Sequence, residues 1–491
     1  MGDLKTIKVK ANVEEVLMEK YEEGGGEPLS PMARMFHEPD SNIYIITMIG
    51  FKTQINPQVF EANLPHTLLK HPRFSSVQVM DENSRGLKWV PTTVDLDNHV
   101  IVPKLEPNNI HTPDKIVEDY VSNLSKSTIK MSIPMWDLHL LNLKTSYAES
   151  TAVLRIHHSL GDGTSLMSLF LASTRKVSDP QTLPTLHVMK KANSSTKSSG
   201  GFLGNYVIKL WLVLSLFWNT FVDVLKFLAT VFMFLKDTET PLKGGLGTGA
   251  TTSRRFVHRM VSLDDVKLVK NAMNTELADM MKKNSLARWG NHFGYLLFPF
   301  TIALRDDPLD YLREAKATMD RKKASLEALY SYFMAKYFLK FCGLKMATFP
   351  SQTTLWFSNV PGPQEEVSYC GHLVAYVAPS CYGQPNGLMI HVVSYVNKIS
   401  IILSADESII PDPRQLCDDL EESLNLIKNA VTAKTKCNFF ASNNLYHEIH
   451  EAARFQDCES STFLASNHSI SISTVKLCGV RFVYDKYLLT N

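Results

Sequence analysis

The architecture of this chain is set by the run Arg155-Ile156-His157-His158-Ser159-Leu160-Gly161-Asp162-Gly163-Thr164, which joins a predicted strand to a predicted helix. The residues at 152–156 are mostly apolar and typical of a buried strand. Apolar side chains recur at helical spacing from Leu166 to Phe170, and Thr164 is the predicted N-cap of that helix. The histidines and the aspartate therefore lie at the end of an element, where reactive side chains are usually presented.

An imidazole at this position can act as a general base. Histidine has an unperturbed pKa near neutral pH, so His158 can accept a proton from a hydroxyl group as its oxygen attacks an acyl carbon. Asp162 follows four residues later and can either orient the imidazole or pair with a nearby arginine, and the spacing leaves both open. Gly161 and Gly163 predict a turn with backbone angles closed to other residues.

Two other interpretations of the run compete with catalysis. The plainer one is a pair of strand-end histidines whose ring nitrogens bond to backbone carbonyls, with no chemistry at all. The other is a metal site. It is disfavoured because no further His, Cys or carboxylate stands nearby at ligand spacing.

The run also resembles a known signature. Residues 157–163 read HHxxxDG, which is similar to the motif of the CoA-dependent acyltransferase superfamily. Further segments resemble one branch of it, the plant bifunctional wax ester synthase/diacylglycerol acyltransferases, and these are Pro28-Leu29-Ser30-Pro31-Met32-Ala33-Arg34, Trp289-Gly290-Asn291, Leu304-Arg305-Asp306-Asp307-Pro308-Leu309, Phe357-Ser358-Asn359-Val360-Pro361-Gly362-Pro363 and Ile410-Pro411-Asp412-Pro413. The resemblance covers most of residues 20–433, and the combination is specific where each motif alone is not.

The resemblance implies a fold and a reaction. The fold is α/β, with two chloramphenicol-acetyltransferase-like domains and a reaction centre where they meet. Predicted strands alternate with helices in residues 42–143, and strands in 355–405 precede a helix from Pro413 to Thr432, which agrees with mixed α/β domains. The implied reaction moves a fatty acyl group from acyl-CoA to a long-chain alcohol, giving a wax ester, or to diacylglycerol, giving triacylglycerol. No metal or other cofactor is expected, since acyl-CoA is a co-substrate and its thioester is already activated.

Matched position by position, the resemblance also implies roles for single residues. His158 is the general base, and His157 supports it at the same turn. Asp162 is structural or orienting, and Gly163 permits the turn. A loop in the second half predicts three substrate-binding residues, Asn359, Pro361 and Gly362.

Resemblance and composition together divide the chain into five parts. These are an N-terminal extension (1–25), an N-terminal acyltransferase domain with the motif (26–185), a linker with an apolar helix (186–255), a C-terminal acyltransferase-like domain (256–433) and a poorly ordered tail (434–491). The sequence departs from the family at 274/275, where a core block of the second domain is missing. We expect this loss to expose apolar surface or an unpaired sheet edge. The tail is rich in Ser, Asn and Cys and has no sustained amphipathic pattern.

One segment is apolar enough to meet a lipid bilayer. Residues 207–235 are dominated by Leu, Val, Phe and Trp, but Lys209, Asp223 and Lys226 interrupt them. Three placements stay open: a helix at the membrane surface or inserted into its core, a true transmembrane helix, and a buried helix packed across the two domains. We expect association with the endoplasmic reticulum membrane or the plasma membrane, with the catalytic domains facing the cytosol.

Composition agrees with a large globular chain. Its 491 residues are 44% hydrophobic, which is ample for more than one core. The net charge of +2 comes with scattered basic residues, so a nucleic-acid partner is not indicated. Seven cysteines, an odd number, lie between Cys342 and Cys478 and do not form a disulfide framework, which favours a reducing compartment.

Three functions are compatible with parts of this pattern. An active O-acyltransferase is favoured because the motif and its neighbouring segments are intact. A catalytically impaired, lipid-binding pseudoenzyme of the same fold is the alternative, because of the missing block. Soluble acyltransferases of plant secondary metabolism share His-x-x-x-Asp, but they also carry Asp-Phe-Gly-Trp-Gly, which this sequence lacks.

Overall fold

The computed structural model describes residues 26–81, 86–105, 112–185, 202–232, 237, 240, 242–243, 253–272, 289–300, 304–341, 353–444 and 480–487. Its helices are α1 (Pro31–Met35), α2 (Pro57–Asn63), α3 (Pro113–Leu124), α4 (Gly163–Ser173), α5 (Phe202–Val231), α6 (Leu263–Ala272), α7 (Pro308–Lys323), α8 (Glu327–Phe341) and α9 (Pro413–Asn444). Its strands are β1 (Tyr44–Phe51), β2 (Ser76–Asp81), β3 (Gly86–Pro91), β4 (Val100–Ile101), β5 (Trp136–Leu141), β6 (Ser150–His157), β7 (Thr174–Lys176), β8 (Arg254–Ser262), β9 (Phe293–Phe300), β10 (Leu355–Val360), β11 (Val367–Tyr369), β12 (His372–Tyr382), β13 (Leu388–Tyr395), β14 (Lys398–Asp406) and β15 (Val480–Tyr487). The predicted N-terminal extension (1–25), the seam at 274/275 and residues 445–479 and 488–491 of the tail lie outside the described residues.

Two sheets organise the described part of the chain. The first has seven strands in the order β4-β5-β6-β1-β12-β11-β7, and the second has six in the order β8-β14-β13-β10-β15-β9. β2 and β3 form a separate hairpin. Helices pack around both sheets, so the architecture is mixed α/β, as predicted from the sequence.

The strand β1 lies at the centre of the first sheet and pairs antiparallel with β6 and β12. Its residues are almost all buried, which explains an apolar run with little alternation. Tyr44 lies opposite His157 on one side and Tyr382 on the other. The register of β1 therefore positions the strand end that carries the motif.

The two sheets do not divide at the predicted domain boundary of residue 256. β11 and β12 lie in the predicted second domain, yet both belong to the first sheet, where β12 pairs with β1 along its whole length. The other strands of the second half form the second sheet. Such an exchange is a long-range pairing, and hydrophobic periodicity carries no information about which distant strand will be the partner.

The C-terminal part of the chain contributes structure that the sequence pattern does not predict. α9 continues to Asn444, beyond the predicted helix end at Thr432. β15 inserts into the second sheet, parallel to β10 and antiparallel to β9, with Leu355 opposite Phe482 and Tyr487 opposite Phe293. The prediction of a poorly ordered tail from residue 434 is therefore wrong for these two segments. β15 also gives β10 a partner on the edge that the shortened second half was expected to leave open.

The apolar helix α5 is exposed at its N-terminal end and docked at its C-terminal end. Every residue from Tyr206 to Leu214 is exposed to solvent. Asp223, by contrast, is fully buried and forms ion pairs with Lys322 at 3.0 Å and Arg321 at 2.8 Å. α5 is long and apolar enough to cross a membrane by length and composition. The expected cost of Asp223 in hydrocarbon does not arise, because that carboxylate is buried in protein with two cations.

Candidate active site

His158 follows β6 directly and begins a short 3-10 turn, His158–Leu160. Its backbone N–H donates to the carbonyl of Ile43 at 2.9 Å, which extends the pairing between β6 and β1 by one step. The side chain lines a cavity between the two sheets. The sheet therefore presents the imidazole from a rigid backbone, as the strand–turn pattern predicts.

The imidazole of His158 is held in one orientation by Asn291. Its Nδ1 lies 3.1 Å from Oδ1 of Asn291, whose Nδ2 donates to the His158 carbonyl at 3.1 Å. Because the amide oxygen only accepts, Nδ1 carries the ring proton and Nε2 keeps its lone pair. The ring of Phe36 stacks on the imidazole with centroids 4.1 Å apart. Burial lowers the pKa of His158 from 6.5, so the ring is neutral at physiological pH.

His157 is locked beneath the turn rather than exposed in the cavity. Its Nε2 donates to the carbonyl of Phe36 at 3.0 Å, and its Nδ1 accepts a hydrogen bond from Oγ of Ser159 at 2.7 Å. Burial holds the pKa of His157 well below its usual value, so this ring is also neutral. The plainer interpretation, a histidine bonded to backbone, therefore fits His157. His157 contacts Phe36, and Phe36 stacks on His158. Through this contact His157 supports the turn.

Asp162 braces the turn and does not touch the imidazole. Its Oδ1 accepts from the N–H of Ser165 at 2.8 Å, which makes Asp162, and not Thr164, the N-cap of α4. Its Oδ2 accepts from the N–H of His292 at 2.9 Å. Neither role proposed from the spacing is seen, since the arginine of the run, Arg155, pairs with Asp137 instead. Each carboxylate oxygen of Asp162 therefore accepts a hydrogen bond from a different segment of the chain.

Residues 289–292, which are distant from the motif in the sequence, complete the site. Trp289 Nε1 donates to the carbonyl of Leu160 at 2.7 Å. The carbonyl of Gly290 accepts from the N–H of Asp162 at 3.0 Å and from Oγ of Ser165 at 3.1 Å. The sequence pattern marks Trp289-Gly290-Asn291 as a matching segment but assigns it no role. In the sequence, the only signal that links this segment to the site is that it matches the same family as the motif, because more than a hundred residues separate the segment from the motif.

The glycines of the site serve close packing more than unusual backbone angles. Gly161 has an extended backbone with φ 173°, so the predicted special turn angle is wrong there. A Cβ at Gly161 would lie 3.1 Å from the indole of Trp289. Gly163 is the first residue of α4 and lines the cavity. The residue that does need a glycine backbone is Gly290, with φ +150°.

The cavity between the sheets is mostly apolar. Its free space, including its openings to solvent, is about 1140 Å³. Strands of both sheets line it, and the polar side chains among the lining residues include those of Thr47, His158, Ser173, Ser380 and His391. Such a cavity suits a long apolar substrate with one reactive polar end.

The three predicted substrate-binding residues do not line this cavity. Asn359 lies in β10, and Pro361 and Gly362 follow it, yet only Val360 of this stretch reaches the cavity wall. The N–H of Gly362 donates to Oγ of Ser394 at 3.2 Å, and a Cβ at Gly362 would meet the Ser394 carbonyl at 2.1 Å. The loop is therefore packed against a neighbouring strand end.

The described residues contain no group of three or more His, Cys, Asp or Glu side chains arranged to hold a metal ion. Among the described residues, Cys370, Cys381 and Cys417 are buried thiols outside any disulfide bond. Burial raises the pKa of Cys370 and of Cys417 to about 12, so these two thiols are protonated and poor nucleophiles. The imidazole of His158 is a nitrogen base that lines the cavity.

An α/β fold with an HHxxxDG histidine between two sheets defines the class of CoA-dependent acyltransferases, and comparison with known proteins gives the branch. The sequence profile of the wax ester synthase/diacylglycerol acyltransferase catalytic domain matches residues 48–281, and that of the WS/DGAT C-terminal domain matches residues 289–428. The chain therefore belongs to the wax ester synthase/diacylglycerol acyltransferase family and is an O-acyltransferase.

Curated relatives match over nearly their full length. Wax ester synthase/diacylglycerol acyltransferase 4 of Arabidopsis thaliana is 42% identical over 496 aligned positions, covering 87% of this chain and 94% of the relative. Wax ester synthase/diacylglycerol acyltransferase 11 of the same plant is 44% identical, covering 82% of this chain and 95% of the relative. The solved structure of the wax ester synthase/diacylglycerol acyltransferase from Marinobacter aquaeolei VT8 has a TM-score of 0.52 at 17% identity, covering 83% of this chain and 100% of that chain. This last likeness shows that the fold is shared.

Proposed function

We propose that this chain transfers a fatty acyl group from its CoA thioester to the hydroxyl of a long-chain alcohol or of diacylglycerol, with His158 as the general base. One observation carries the proposal: an imidazole whose Nδ1 lies 3.1 Å from Oδ1 of Asn291, and whose Nε2 has no hydrogen-bond partner among the described residues, lines an apolar cavity between two sheets. A general base needs a fixed ring, a free lone pair and access to the reacting hydroxyl. The names of the relatives, which combine wax ester synthesis with diacylglycerol acylation, support the two acceptor classes.

The reaction follows from these groups. Nε2 of His158 accepts the hydroxyl proton as the alcohol oxygen attacks the thioester carbonyl carbon, and the carbonyl oxygen becomes negatively charged. When the tetrahedral species collapses, the carbon–sulfur bond breaks and the thiolate of CoA takes the proton back from the imidazolium. The products are the ester and free CoA. The step needs no metal or redox cofactor, because a base and positioning are enough for a thioester.

The apolar walls of the cavity supply binding energy for the acyl chain. Each methylene group transferred from water is worth about 0.8 kcal/mol, so even six buried methylenes contribute roughly 5 kcal/mol before the costs of association. Phe36 and Phe293 lie on this wall beside His158, with the centroid of Phe293 at 5.8 Å from the imidazole. An apolar wall this close to the base favours substrates whose chain begins next to the reacting carbonyl or hydroxyl.

Membrane association is the second part of the proposal. The N-terminal half of α5 exposes large apolar side chains on all sides, among them Trp211, which is 65% exposed, and Trp218 lies just beyond it with 67% exposure. The neighbouring α8 exposes Leu329, Phe333 and Tyr337, spaced four residues apart along one helix face. We place this combined apolar surface in one leaflet of the endoplasmic reticulum or plasma membrane, with the catalytic body in the cytosol. Asp223 keeps the other end of α5 in the protein, which argues against a complete span.

The deciding experiment expresses the chain and His158→Ala in a host that makes no neutral lipid, feeds fatty alcohol, and measures wax ester and triacylglycerol. We expect product from the wild type and a loss of about 10²- to 10⁴-fold in His158→Ala. His66→Ala, at an exposed histidine outside the cavity, is the matched control and should retain full activity. An active His158→Ala variant would contradict the role of the base.

A folded wild type that binds acyl-CoA but forms no ester would favour the alternative, a lipid-binding pseudoenzyme. Carbonate extraction and vesicle binding test the membrane surface in the same preparations. Replacing Trp211 and Trp218 with serine should release the chain from vesicles of neutral and anionic phospholipid without changing its fold, because both side chains are exposed. Unchanged vesicle binding would show that α5 does not contact the membrane.

A further inference from the structure

A second histidine faces the same cavity, and the acyl transfer described so far gives it no task. His391 lies in β13 of the second sheet and lines the cavity together with His158 of the first sheet. We propose that His391 donates a hydrogen bond from Nε2 to the carbonyl oxygen of the acyl thioester and stabilises the negative charge that develops on that oxygen. The inference rests on the acyl transfer proposed above and assigns a further residue to it.

The bonding of His391 leaves one ring nitrogen for the substrate. Its Nδ1 lies 3.4 Å from Oγ of Ser380 in β12, which also lines the cavity. We assign the Ser380 hydroxyl as the donor to Nδ1, which places the ring proton on Nε2. Among the residues that the structure describes, Nε2 has no hydrogen-bond partner, and the side chain lines the cavity. Its N–H is therefore available to an oxygen in the cavity.

The charge state of the ring suits a donor and not a second base. Burial lowers the pKa of His391 to about 3, and a proton on His158 lowers it further. His391 therefore remains neutral throughout the reaction, including the moment when His158 carries the proton taken from the acceptor. A neutral imidazole with a fixed N–H is a hydrogen-bond donor that needs no reorganisation as charge appears on the substrate.

The geometry assigns the two histidines to opposite sides of the reaction. They come from different sheets and line the same cavity, and we place the reacting carbon between them. His158 takes the hydroxyl of the attacking alcohol. The other group that changes charge in the same step is the acyl carbonyl oxygen, and it requires a donor in walls that are mostly apolar.

Kinetics of His391→Leu and His391→Gln test this role. Leucine removes the donor, and we expect kcat to fall by about 10²- to 10³-fold with little change in the KM for acyl-CoA, since the bond is strongest in the transition state. Glutamine places an N–H at similar reach and should retain most of the activity. His66→Ala, at an exposed histidine outside the cavity, is the control and should leave kcat unchanged. Equal losses in His391→Gln and His391→Leu, or full activity in His391→Leu, would overturn the inference.

A spectroscopic measurement separates this role from a structural one. Acyl-CoA labelled with ¹³C at the thioester carbonyl is bound to the full chain without acceptor, and its C=O stretch is read by infrared difference spectroscopy. We expect a lower frequency in the wild type and in His66→Ala than in His391→Leu. The same frequency in all three overturns the His391 assignment and leaves the proposed function standing. A wild type that neither binds acyl-CoA nor forms ester overturns the proposed function, and this inference with it.

Discussion

Replacing Asp162 gives the sharpest test of how the site is held together. Its two carboxylate oxygens serve different segments: Oδ1 caps α4 through Ser165, and Oδ2 holds His292, next to the Asn291 that orients His158. Asp162→Ala removes both of these backbone hydrogen bonds, together with the one that Oγ1 of Thr164 donates to Oδ1. Asp162→Asn retains an oxygen for the cap but turns an NH₂ group toward the N–H of His292, so that two donors face each other.

The expected destabilisation is the sum of two effects on backbone N–H groups. Loss of an N-cap costs about 1 kcal/mol, and leaving the His292 N–H without its acceptor costs about 1–2 kcal/mol more. Asp162→Ala should therefore lose roughly 2–3 kcal/mol, which corresponds to a Tm lower by about 2–4 °C for a chain of this length. Asp162→Asn should lose about half as much. Both variants loosen Asn291, and a misplacement of the base by about 1 Å is worth roughly 10²-fold in rate.

The assay pairs thermal melting with initial rates of ester formation. Asn56→Ala is the matched control, because Asn56 caps α2 through Gln58 and Val59 and lies outside the cavity lining. It should lower the Tm as an ordinary cap does and leave kcat unchanged. The role of Asp162 in holding the site together is refuted if Asp162→Asn keeps the wild-type kcat, or if Asp162→Ala melts no lower than Asn56→Ala.

Two further predictions concern the base and the C-terminal strand. Burial lowers the pKa of His158 from 6.5, so the imidazole remains a neutral base as the pH falls through 6.5. We therefore expect kcat/KM to be constant above pH 6.5 and to decline only below it. A pH–rate profile with its midpoint at or above pH 6.5 would contradict this. Ending the chain at residue 479 removes β15 from between β9 and β10, and since β9 carries Phe293 of the cavity wall, we expect a lower Tm and loss of ester formation. A chain ending at residue 487 is the control, and equal melting and activity of the two would show that β15 is dispensable.

The local part of the site can be predicted from the sequence because it depends on neighbours along the chain. The strand before His157, the turn and the helix after Asp162 follow from apolar spacing and turn chemistry within about twenty residues. The pattern places the N-cap at Thr164 instead of Asp162, an error of two residues at a helix end. Side-chain capping there depends on where the backbone bends, which spacing does not resolve.

The partners of His158 cannot be predicted in the same way. Asn291, which fixes the tautomer, and His391, which faces the same cavity, lie more than a hundred residues away along the chain. The sequence contains a matching segment for the first and no signal for the second. The linker helix is a similar case, since only the burial of Asp223 against Lys322 shows which end of α5 is docked.

The sequence by itself determined the strand–turn–helix that presents His158, the mixed α/β class and the chemistry open to a neutral imidazole, because side-chain type and short-range periodicity act locally. Tertiary structure alone decided that β12 joins the first sheet, that β15 enters the second, and that Asn291 and His391 reach the site from distant parts of the chain. The physical reason is that a strand edge bonds to any backbone of suitable shape, so the choice among distant partners is made by packing the whole chain at once.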